Sequence, residues 1–249
     1  MKPLIVGNWK MNINSLTEIK KLFNSIKRKA KGLERKAEIV VCPSSAYLSN
    51  LKTQNSSVVL GAQDLFWENE GNFTGNISPL ILKETDCKYV LVGHSERRKH
   101  NKETNEMISK KLKKAIDNGF KVILCVGETA TEKKTGQALR VLNTQVSKAL
   151  NRIDDKEIKN VIIAYEPVWA VGTGKPCESS VVLTQNLLIR NMIKKRYSSK
   201  IAKDFKILYG GSVNSDNAKE YIDVARTQGL LIGEASLNSQ EFIKIIKNI

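Results

Sequence analysis

Residues 161–175 read VIIAYEPVWAVGTGK, and this stretch contains the two features that decide the fold. Its first five residues form a continuous apolar run, which is typical of a strand buried on both faces. A carboxylate, Glu166, follows the run directly, and a proline and two glycines come after it. The same arrangement, a short apolar run followed by polar residues or glycine, recurs along the chain.

Eight such apolar runs occur, at residues 4–6, 38–42, 58–60, 89–92, 121–126, 161–165, 206–209 and 229–232. Most are separated by segments with helical periodicity. The first of these segments follows Ser15, which forms a capping-box signature with Glu18. Its apolar stripe consists of Leu16, Ile19, Leu22, Phe23 and Ile26. Strands that alternate with helices predict an α/β fold, either a doubly wound sheet or a closed barrel.

Polar residues and glycines at the strand ends favour the barrel. They follow nearly every run, as Asn8, Lys10, Gln63, His94, Glu128, Glu166, residues 210–212 and residues 233–234. A barrel brings all these ends to one face, whereas an open sheet concentrates function at one switch point. No linker or change of composition divides the chain. The sequence therefore predicts a single (β/α)8 TIM barrel of eight parallel strands over residues 1–249.

Several classes of protein lack their usual signals. No glycine-rich dinucleotide fingerprint follows the first strand, and no nucleotide-binding P-loop occurs. The four cysteines are far apart in sequence, which argues against a metal site and a disulfide framework and predicts structural thiols in a reducing cytoplasm. No run approaches the ~18 apolar residues of a membrane span, and the N-terminus does not resemble a signal peptide. We expect a cytoplasmic protein with no metal and no membrane contact.

The net charge of +16 raises the question of nucleic-acid binding. The excess is mostly lysine and is spread over many segments, without a basic arm or an aromatic-interleaved face. In residues 27–36 and 110–114 the lysines alternate with apolar residues at helical spacing, which predicts solvated outer faces of helices. We expect no nucleic-acid partner, and the alternative use of the charge is to attract an anionic substrate.

Two residues at strand ends are candidates for chemistry. His94, one of only two histidines, lies in GHSERR (residues 93–98), whereas His100 lies in a charged stretch that we expect to be exposed. Glu166 stands at the end of a buried strand, which is an expensive place for a carboxylate unless it is solvated or functional. Taken singly, each residue fits a structural role as well as a catalytic one.

Five motifs together settle the interpretation. They are GNWKMN (residues 7–12), GHSERR (93–98), YEPVWAVGTGK (165–175), YGGSV (209–213) and GEASL (233–237). Their sequence and order resemble the triosephosphate isomerase family over nearly the whole chain. The resemblance implies the cofactor-free interconversion of dihydroxyacetone phosphate and D-glyceraldehyde 3-phosphate through an enediolate, a step of glycolysis and gluconeogenesis.

The resemblance also implies a role for each catalytic residue. Glu166 is expected to be the base that moves a proton between C1 and C2. His94 is expected to be the neutral electrophile that polarises the carbonyl. Asn8 and Lys10 would add hydrogen-bond donors and a positive charge, and Glu96 would orient Lys10.

The substrate-binding set implied by the resemblance consists of Asn8, Trp9, Lys10, Gly172, Ser212, Gly233 and Glu234. Residues 167–175 would form a lid that excludes water from the enediolate. Two positions depart from the family pattern. Glu234 stands where the family frequently has a second glycine, and we expect its carboxylate to point outward. Pro176 lies beside the second hinge of the lid, and its fixed φ restricts the backbone conformations that the hinge can adopt.

Residues 63–79 form a predicted long loop, and loops of that length usually have a function. The segment resembles the family's interdigitating loop. Thr74 at its tip would then approach Asn8 or His94 of another subunit, which implies a homodimer.

Two rival functions remain at this point. A Schiff-base aldolase on a similar barrel needs a lysine at the mouth of a strand, commonly the sixth, but this chain has Glu166 there. A basic nucleic-acid binder or an inactive scaffold is the other alternative, since a fold does not dictate function. The presence of Lys10, His94 and Glu166 together speaks against it.

Overall fold

The computed structural model describes residues 2–172 and 174–249, and its centre is a closed barrel of eight parallel strands. The strands are β1 (Leu4–Asn8), β2 (Glu38–Cys42), β3 (Val58–Ala62), β4 (Cys87–Val92), β5 (Lys121–Val126), β6 (Val161–Tyr165), β7 (Ile207–Tyr209) and β8 (Gly229–Ile232). Each strand pairs with the next along the chain, and β8 pairs with β1. The prediction of a (β/α)8 barrel is confirmed.

Ten α-helices lie between and after the strands within the described residues. They are α1 (Leu16–Ala30), α2 (Pro79–Lys83), α3 (Ser95–His100), α4 (Asn105–Asp117), α5 (Ala130–Lys134), α6 (Ala138–Ala149), α7 (Ser179–Arg196), α8 (Ser199–Asp204), α9 (Ala218–Asp223) and α10 (Ser239–Asn248). None of them is long and apolar enough to cross a membrane. Helix α1 begins as predicted, because the Ser15 side chain accepts a hydrogen bond from the Glu18 N–H.

Two strands continue beyond the apolar runs that predicted them. The β1 strand extends through Gly7 and Asn8, which align with Val41 and Cys42 of β2. Similarly, β3 extends to Ala62, while β4 begins two residues before its apolar run, at Cys87. Strand pairing uses the backbone, so it does not stop where a side chain becomes polar. The extension of β1 places Asn8 at the last position of a strand.

Side chains alternate between two separate cores because successive residues of a strand point to opposite faces. Ile5 packs outward against the helices, whereas Leu4 and Val6 fill the barrel interior. The interior core consists of Leu4, Val6, Val40, Cys42, Tyr89, Leu91, Ile123, Cys125, Ile162, Ala164, Leu208 and Leu231. The same alternation continues past the strand ends and decides which polar residues face the mouth of the barrel.

The prediction of a solvated face for residues 110–114 is wrong for one lysine. Lys110 is exposed, but Lys111 is only 2% exposed. Its ammonium group lies 2.7 Å from a carboxylate oxygen of Asp64 and close to Glu103. Helical spacing places Lys111 on the buried side of α4, and these carboxylates compensate the charge.

All four cysteines are buried, and none forms a disulfide. Cys42 and Cys125 lie inside the barrel, and Cys87 and Cys177 lie in the outer core. Burial raises the pKa of Cys87 and of Cys177 to about 11. These thiols are therefore uncharged at neutral pH, as structural cysteines are.

Candidate active site

A cavity of about 690 Å³ opens at the carboxyl ends of the strands. Every site residue predicted from the sequence except Trp9 lines it: Asn8, Lys10, His94, Glu96, Glu166, Gly172, Ser212, Gly233 and Glu234. These residues come from loops after five different strands, as active sites of such barrels do.

Trp9 is placed elsewhere. Its side chain is only 1% exposed and belongs to the outer core. The alternation along β1 directs Asn8 toward the barrel axis and residue 9 away from it. The resemblance to the family implies contact of Trp9 with substrate, whereas the structure gives its side chain a packing role.

Lys10 has an unusual backbone for a non-glycine residue, with φ at 51°. Two side chains hold this conformation. The Lys10 N–H donates to Oδ1 of Asn8 at 3.1 Å, and the Gln63 side-chain amide donates to the Lys10 carbonyl at 2.9 Å. Strained backbone that its surroundings maintain in this way is common at functional sites. The strain directs the Lys10 ammonium toward Glu96, whose carboxylate it meets at 2.6 Å.

The tautomer of His94 follows from its position at the start of α3. As the N-cap of this helix, its Nδ1 accepts a hydrogen bond from the Glu96 N–H at 3.3 Å. A nitrogen that accepts a hydrogen bond carries no proton, so the proton of a neutral ring lies on Nε2. The Nε2 atom faces Glu166 and lies 3.3 Å from Oε1 of its carboxylate.

Glu166 is only 3% exposed. Its Oε2 accepts a long hydrogen bond of 3.4 Å from the Ser95 N–H, while its Oε1 faces His94. The backbone of Glu166 is fixed by a 2.7 Å hydrogen bond from its N–H to the Val126 carbonyl. A buried carboxylate with two long side-chain contacts and an adjacent cavity has the freedom to accept a proton from a bound molecule.

Two glycines make room for Glu166. A Cβ on Gly127 would lie 1.8 Å from the Glu166 carbonyl oxygen, and a Cβ on Gly210 would lie 2.8 Å from its Cγ. Both distances are impossible without movement. The Cys125 thiol lies next to the carboxylate, and burial together with the charge of Glu166 raises its pKa well above the ordinary value. Cys125 therefore stays neutral beside the base.

Glu96 is ionised in this arrangement. Partial burial acts to raise its pKa, but the hydrogen bond from Lys10 and the positive charges nearby outweigh that effect and lower it. The resulting ion pair fixes the Lys10 ammonium at the edge of the cavity beside His94.

The first part of the predicted lid is tied to Glu128. The Trp169 indole N–H donates to Oε1 of Glu128 at 2.9 Å, and the Tyr165 hydroxyl donates to the same carboxylate at 3.1 Å. The Lys133 ammonium lies 3.3 Å from the centroid of the Trp169 ring, a cation–π contact. The short 3-10 helix Val168–Ala170 is held by these contacts.

The lid also contacts the loop after β7. The Ser212 hydroxyl donates to the Ala170 carbonyl at 2.9 Å. Gly172, with φ at 69°, lines the cavity beside it. Thr173, which the predicted lid also includes, lies outside the described residues. The two positions that depart from the family pattern, Glu234 and Pro176, are both solvent-exposed, and Glu234 lies at the rim of the cavity.

Helix α3 is connected to the neighbouring segments by a network of ion pairs. Arg97 contacts Glu103 at 2.6 Å and Asp64 at 2.9 Å, and Lys111 binds the same two carboxylates. Burial raises the pKa of Asp64 to about 6, with the Glu103 charge adding to this effect and Lys111 and Arg97 opposing it. The network joins the helix that begins at His94 to the loop that begins at Gln63.

The loop from residue 63 to 79 folds on itself. Phe66 contacts the rings of Trp67 and Phe73 at centroid distances of 4.1 and 4.7 Å. Phe73 nevertheless remains 42% exposed, and Met11, which follows β1 in the GNWKMN motif, is 85% exposed. The loop therefore presents apolar surface to the solvent in a single chain.

Several residues of the site carry no separate signal in the sequence. The cavity is also lined by Asn12, Asn214, Leu231, Ala235 and Leu237. Ser95 lies inside GHSERR, but only the fold shows that its N–H contacts Glu166. The alternation along β8 could have found Leu231, because it directs that residue into the barrel. Within the described residues, no group of three or more histidine, cysteine or acidic side chains is arranged to hold a metal ion.

The fold and site define a (β/α)8-barrel enzyme in which a carboxylate and an imidazole oppose each other at the strand ends. Comparison with known proteins makes the class specific. The family model of triosephosphate isomerase matches residues 3–249. The chain belongs to the triosephosphate isomerase family, the glycolytic isomerases that interconvert dihydroxyacetone phosphate and glyceraldehyde 3-phosphate.

Individual relatives agree over their full length. The chain is 41% identical to the triosephosphate isomerase of Dictyoglomus turgidum, with 99% of each chain covered. It is 40% identical to that of Clostridium tetani, with 98% of this chain and 96% of the relative covered. The triosephosphate isomerase of Lawsonia intracellularis is 41% identical, with 99% and 98% covered.

Proposed function

We propose that this chain carries out the reaction of its family with Glu166 as the base and His94 as the electrophile. The observation that carries the assignment is the 3.3 Å approach of His94 Nε2 to Glu166 Oε1 at the mouth of the barrel. A proton donor for oxygen and a proton acceptor for carbon are thus adjacent at the cavity that a substrate must enter.

In the forward direction, Glu166 removes a proton from C1 of dihydroxyacetone phosphate. The electrons form the C1–C2 double bond, and negative charge develops on the oxygen at C2. The Nε2–H of His94 donates to that oxygen, and the Lys10 ammonium stabilises the charge. Proton exchange between the two substrate oxygens through His94, followed by return of the carbon proton from Glu166 to C2, yields glyceraldehyde 3-phosphate.

The contacts in the structure imply a movement. Because Glu166 and His94 touch each other, the C1–C2 unit of the substrate must enter between them, and the 3.4 Å contact of Glu166 with Ser95 must lengthen or break. Both contacts are long and therefore weak, so the substrate can replace them at small cost. No redox cofactor is needed, because the isomerisation moves protons within one molecule and exchanges no electrons with an external donor or acceptor.

We assign the phosphate group to the side of the cavity formed by Gly172, Ser212, Gly233 and Glu234, which are among its lining residues. Loops after strands seven and eight are the usual phosphate sites of these barrels. The Ser212 hydroxyl is bonded to the Ala170 carbonyl of the lid, so phosphate binding at this loop would be coupled to lid position.

The assembly and compartment are part of the proposal. The exposed Phe73 and Met11, together with Ile81 at 61% exposure, offer apolar surface suited to a homodimer through the loop around Thr74. Four reduced, buried cysteines support a cytoplasmic location. The molar mass in solution by light scattering distinguishes a dimer from the 27.9 kDa chain.

The two histidines provide the test. His94→Gln should lower kcat by about 10² to 10³, because the ring that donates to and exchanges protons with the substrate oxygens is lost. His100→Gln is the matched control, because His100 is exposed in α3 and does not line the cavity. The assay couples glyceraldehyde 3-phosphate formation to a dehydrogenase. Equal activity of the two variants would refute the role of His94.

A further inference from the structure

A second cavity, of about 530 Å³, opens at the end of the barrel where the strands begin. Lys121 and Val161, which line it, are the first residues of β5 and β6, and Lys206 directly precedes β7. We call it the basal cavity. Its volume lies in the range of small-molecule sites, which is about 300–1,000 Å³. It shares no residue with the candidate active site.

The floor of the basal cavity is apolar. It is formed by Ile158, Val161, Ile162, Ile201 and Phe205, with the ring of Tyr89. Ile162 and Tyr89 belong to the interior core of the barrel, so the cavity extends to the part of that core at the amino ends of the strands. Ile158 comes from a 3-10 helix before β6 and Ile201 from α8.

The rim of the basal cavity is charged. Four lysines, Lys121, Lys159, Lys200 and Lys206, surround it together with two carboxylates, Asp155 and Asp204. Glu38 adds a third carboxylate beneath the rim, 3.6 Å from Lys121 and 3.4 Å from Lys206. Four ammonium groups against three carboxylates leave one surplus positive charge.

The four lysines of the rim fall into two pairs, and the surplus charge belongs to the rim as a whole. Lys121 and Lys206 share Glu38, whereas no ion pair in the described part of the chain involves Lys159 or Lys200. Both of these lysines are exposed, and their ammonium groups are available to an anion. Beside the attraction of an anionic substrate, the basal cavity offers a second function for part of the lysine excess.

We propose that the basal cavity binds a monoanionic amphiphile, a carboxylate on an apolar chain of medium length. The apolar chain would lie over Ile158, Ile162 and Ile201, where it is removed from water. The carboxylate would lie between Lys159 and Lys200. A triose phosphate has no apolar part to fill the floor, so the cavity is not a second site for the substrate of the active site.

The direct test is a titration with octanoate, monitored by NMR of isoleucine methyl groups. We expect saturable shifts of the Ile158, Ile162 and Ile201 signals. The Kd for octanoate should be at least about tenfold lower than that for 1-octanol, which has the same chain without the charge. Octylammonium should bind more weakly still. Equal affinities for octanoate and 1-octanol, or shifts confined to other isoleucines, would overturn the proposal.

Two charge-reversal variants sharpen the test. Lys200→Glu should raise the Kd for octanoate about tenfold, because it reverses one of the two charges beside the carboxylate. Lys203→Glu makes the same change on the same helix, but Lys203 does not line the cavity, so its Kd should stay close to that of the wild type. Equal effects of the two variants would overturn the proposal.

A third variant blocks the cavity itself. Ile201 is partly buried on α8, and Ile201→Trp would fill the space above the floor and abolish the saturable shifts of Ile158 and Ile162. The isomerase activity of each variant reports that it has folded. Octanoate at saturation should leave the KM for glyceraldehyde 3-phosphate unchanged. Competition with that substrate, or binding that persists in Ile201→Trp, would place octanoate elsewhere and overturn the proposal.

Discussion

At the carboxyl ends of the strands, Glu166 meets His94 at 3.3 Å and the Ser95 N–H at 3.4 Å beside an open cavity. At the amino ends, the carboxylate of Glu38 is instead held by the Tyr89 hydroxyl and by the ammonium groups of two lysines. Both glutamates adjoin the barrel interior. The first has loose partners and a place for a substrate, whereas the second is neutralised by the protein itself.

The difference between the two glutamates indicates that the carboxyl ends of the strands serve catalysis, whereas the amino ends serve stability. A carboxylate that is fully engaged by its neighbours contributes to the folded state but has no reason to exchange a proton with a ligand. A carboxylate with long, weak contacts contributes less to folding and can act as a base. The same substitution at the two ends should therefore have opposite consequences.

The largest effect is expected at the mouth of the barrel. Glu166→Gln should lower kcat by about 10³ or more, because an amide cannot accept the proton from carbon. The Tm should not fall, since the amide keeps the shape of the side chain and removes a buried charge. The coupled assay and calorimetry measure these two quantities on the same samples. Turnover close to that of the wild type would refute the assignment of the base.

An intermediate effect is expected from the glycine that makes room for the base. Gly210→Ala places a Cβ 2.8 Å from the Glu166 Cγ, so the carboxylate must shift. A shift of about 1 Å in a reacting group can cost about 10² in rate, and we expect a loss of that order in kcat.

Gly233→Ala is the control for this substitution. Its new Cβ would meet only the Lys10 side chain, at an ordinary 3.6 Å, on the side assigned to the phosphate. This variant should change KM more than kcat. The proposed division of the cavity fails if steady-state kinetics show the reverse pattern for the two glycines.

The smallest effect is expected at the amino ends of the strands. Glu38→Gln should leave kcat unchanged and lower the free energy of unfolding by about 1–2 kcal/mol, because the hydrogen bond from Tyr89 loses its charged acceptor and the ion pairs with Lys121 and Lys206 are lost. For a chain of this size that corresponds to a fall in Tm of about 2–8 °C. A loss of activity equal to that of Glu166→Gln would remove the distinction between the two ends.

The pH dependence of this difference has a definite sign. Partial burial acts to raise the pKa of Glu38, but the hydrogen bond from Tyr89 and the charges of Lys121 and Lys206 outweigh it, so the folded-state pKa lies below the ordinary 4.5. A lowered pKa stabilises the folded state above the unfolded value. The Tm difference between wild type and Glu38→Gln should be complete above pH 4.5 and disappear as the pH falls through the folded-state pKa.

Much of the mouth of the barrel could be predicted from the sequence. The apolar runs predict the strands, and the residue after each run lies at the carboxyl edge by the geometry of a parallel barrel. Asn8, His94 and Glu166 therefore reach the cavity together. The lid contacts of Trp169 with Glu128 and Lys133 could not be predicted, because they join residues about 40 positions apart through side-chain directions that no local pattern contains.

Most contacts at the amino ends of the strands could not be predicted from the sequence. Glu38 and Lys121 look like solvated residues at the edges of apolar runs, and nothing local shows that Tyr89 brings them together across three strands. Lys111 was placed wrongly for the same reason, since its partners Asp64 and Glu103 lie outside its helix. Charge compensation between distant segments depends on the closed barrel and not on the local sequence.

The opposition of Glu166 to a neutral His94 is the central claim, and nitrogen-15 NMR of the histidine side chains tests it most directly. The chain has only two histidines, and His100→Gln leaves His94 as the one signal. At neutral pH we expect Nδ1 without a proton and Nε2 with one, both in the free protein and with a bound phosphate-bearing substrate analogue. A ring protonated on both nitrogens, or on Nδ1 alone, would contradict the account.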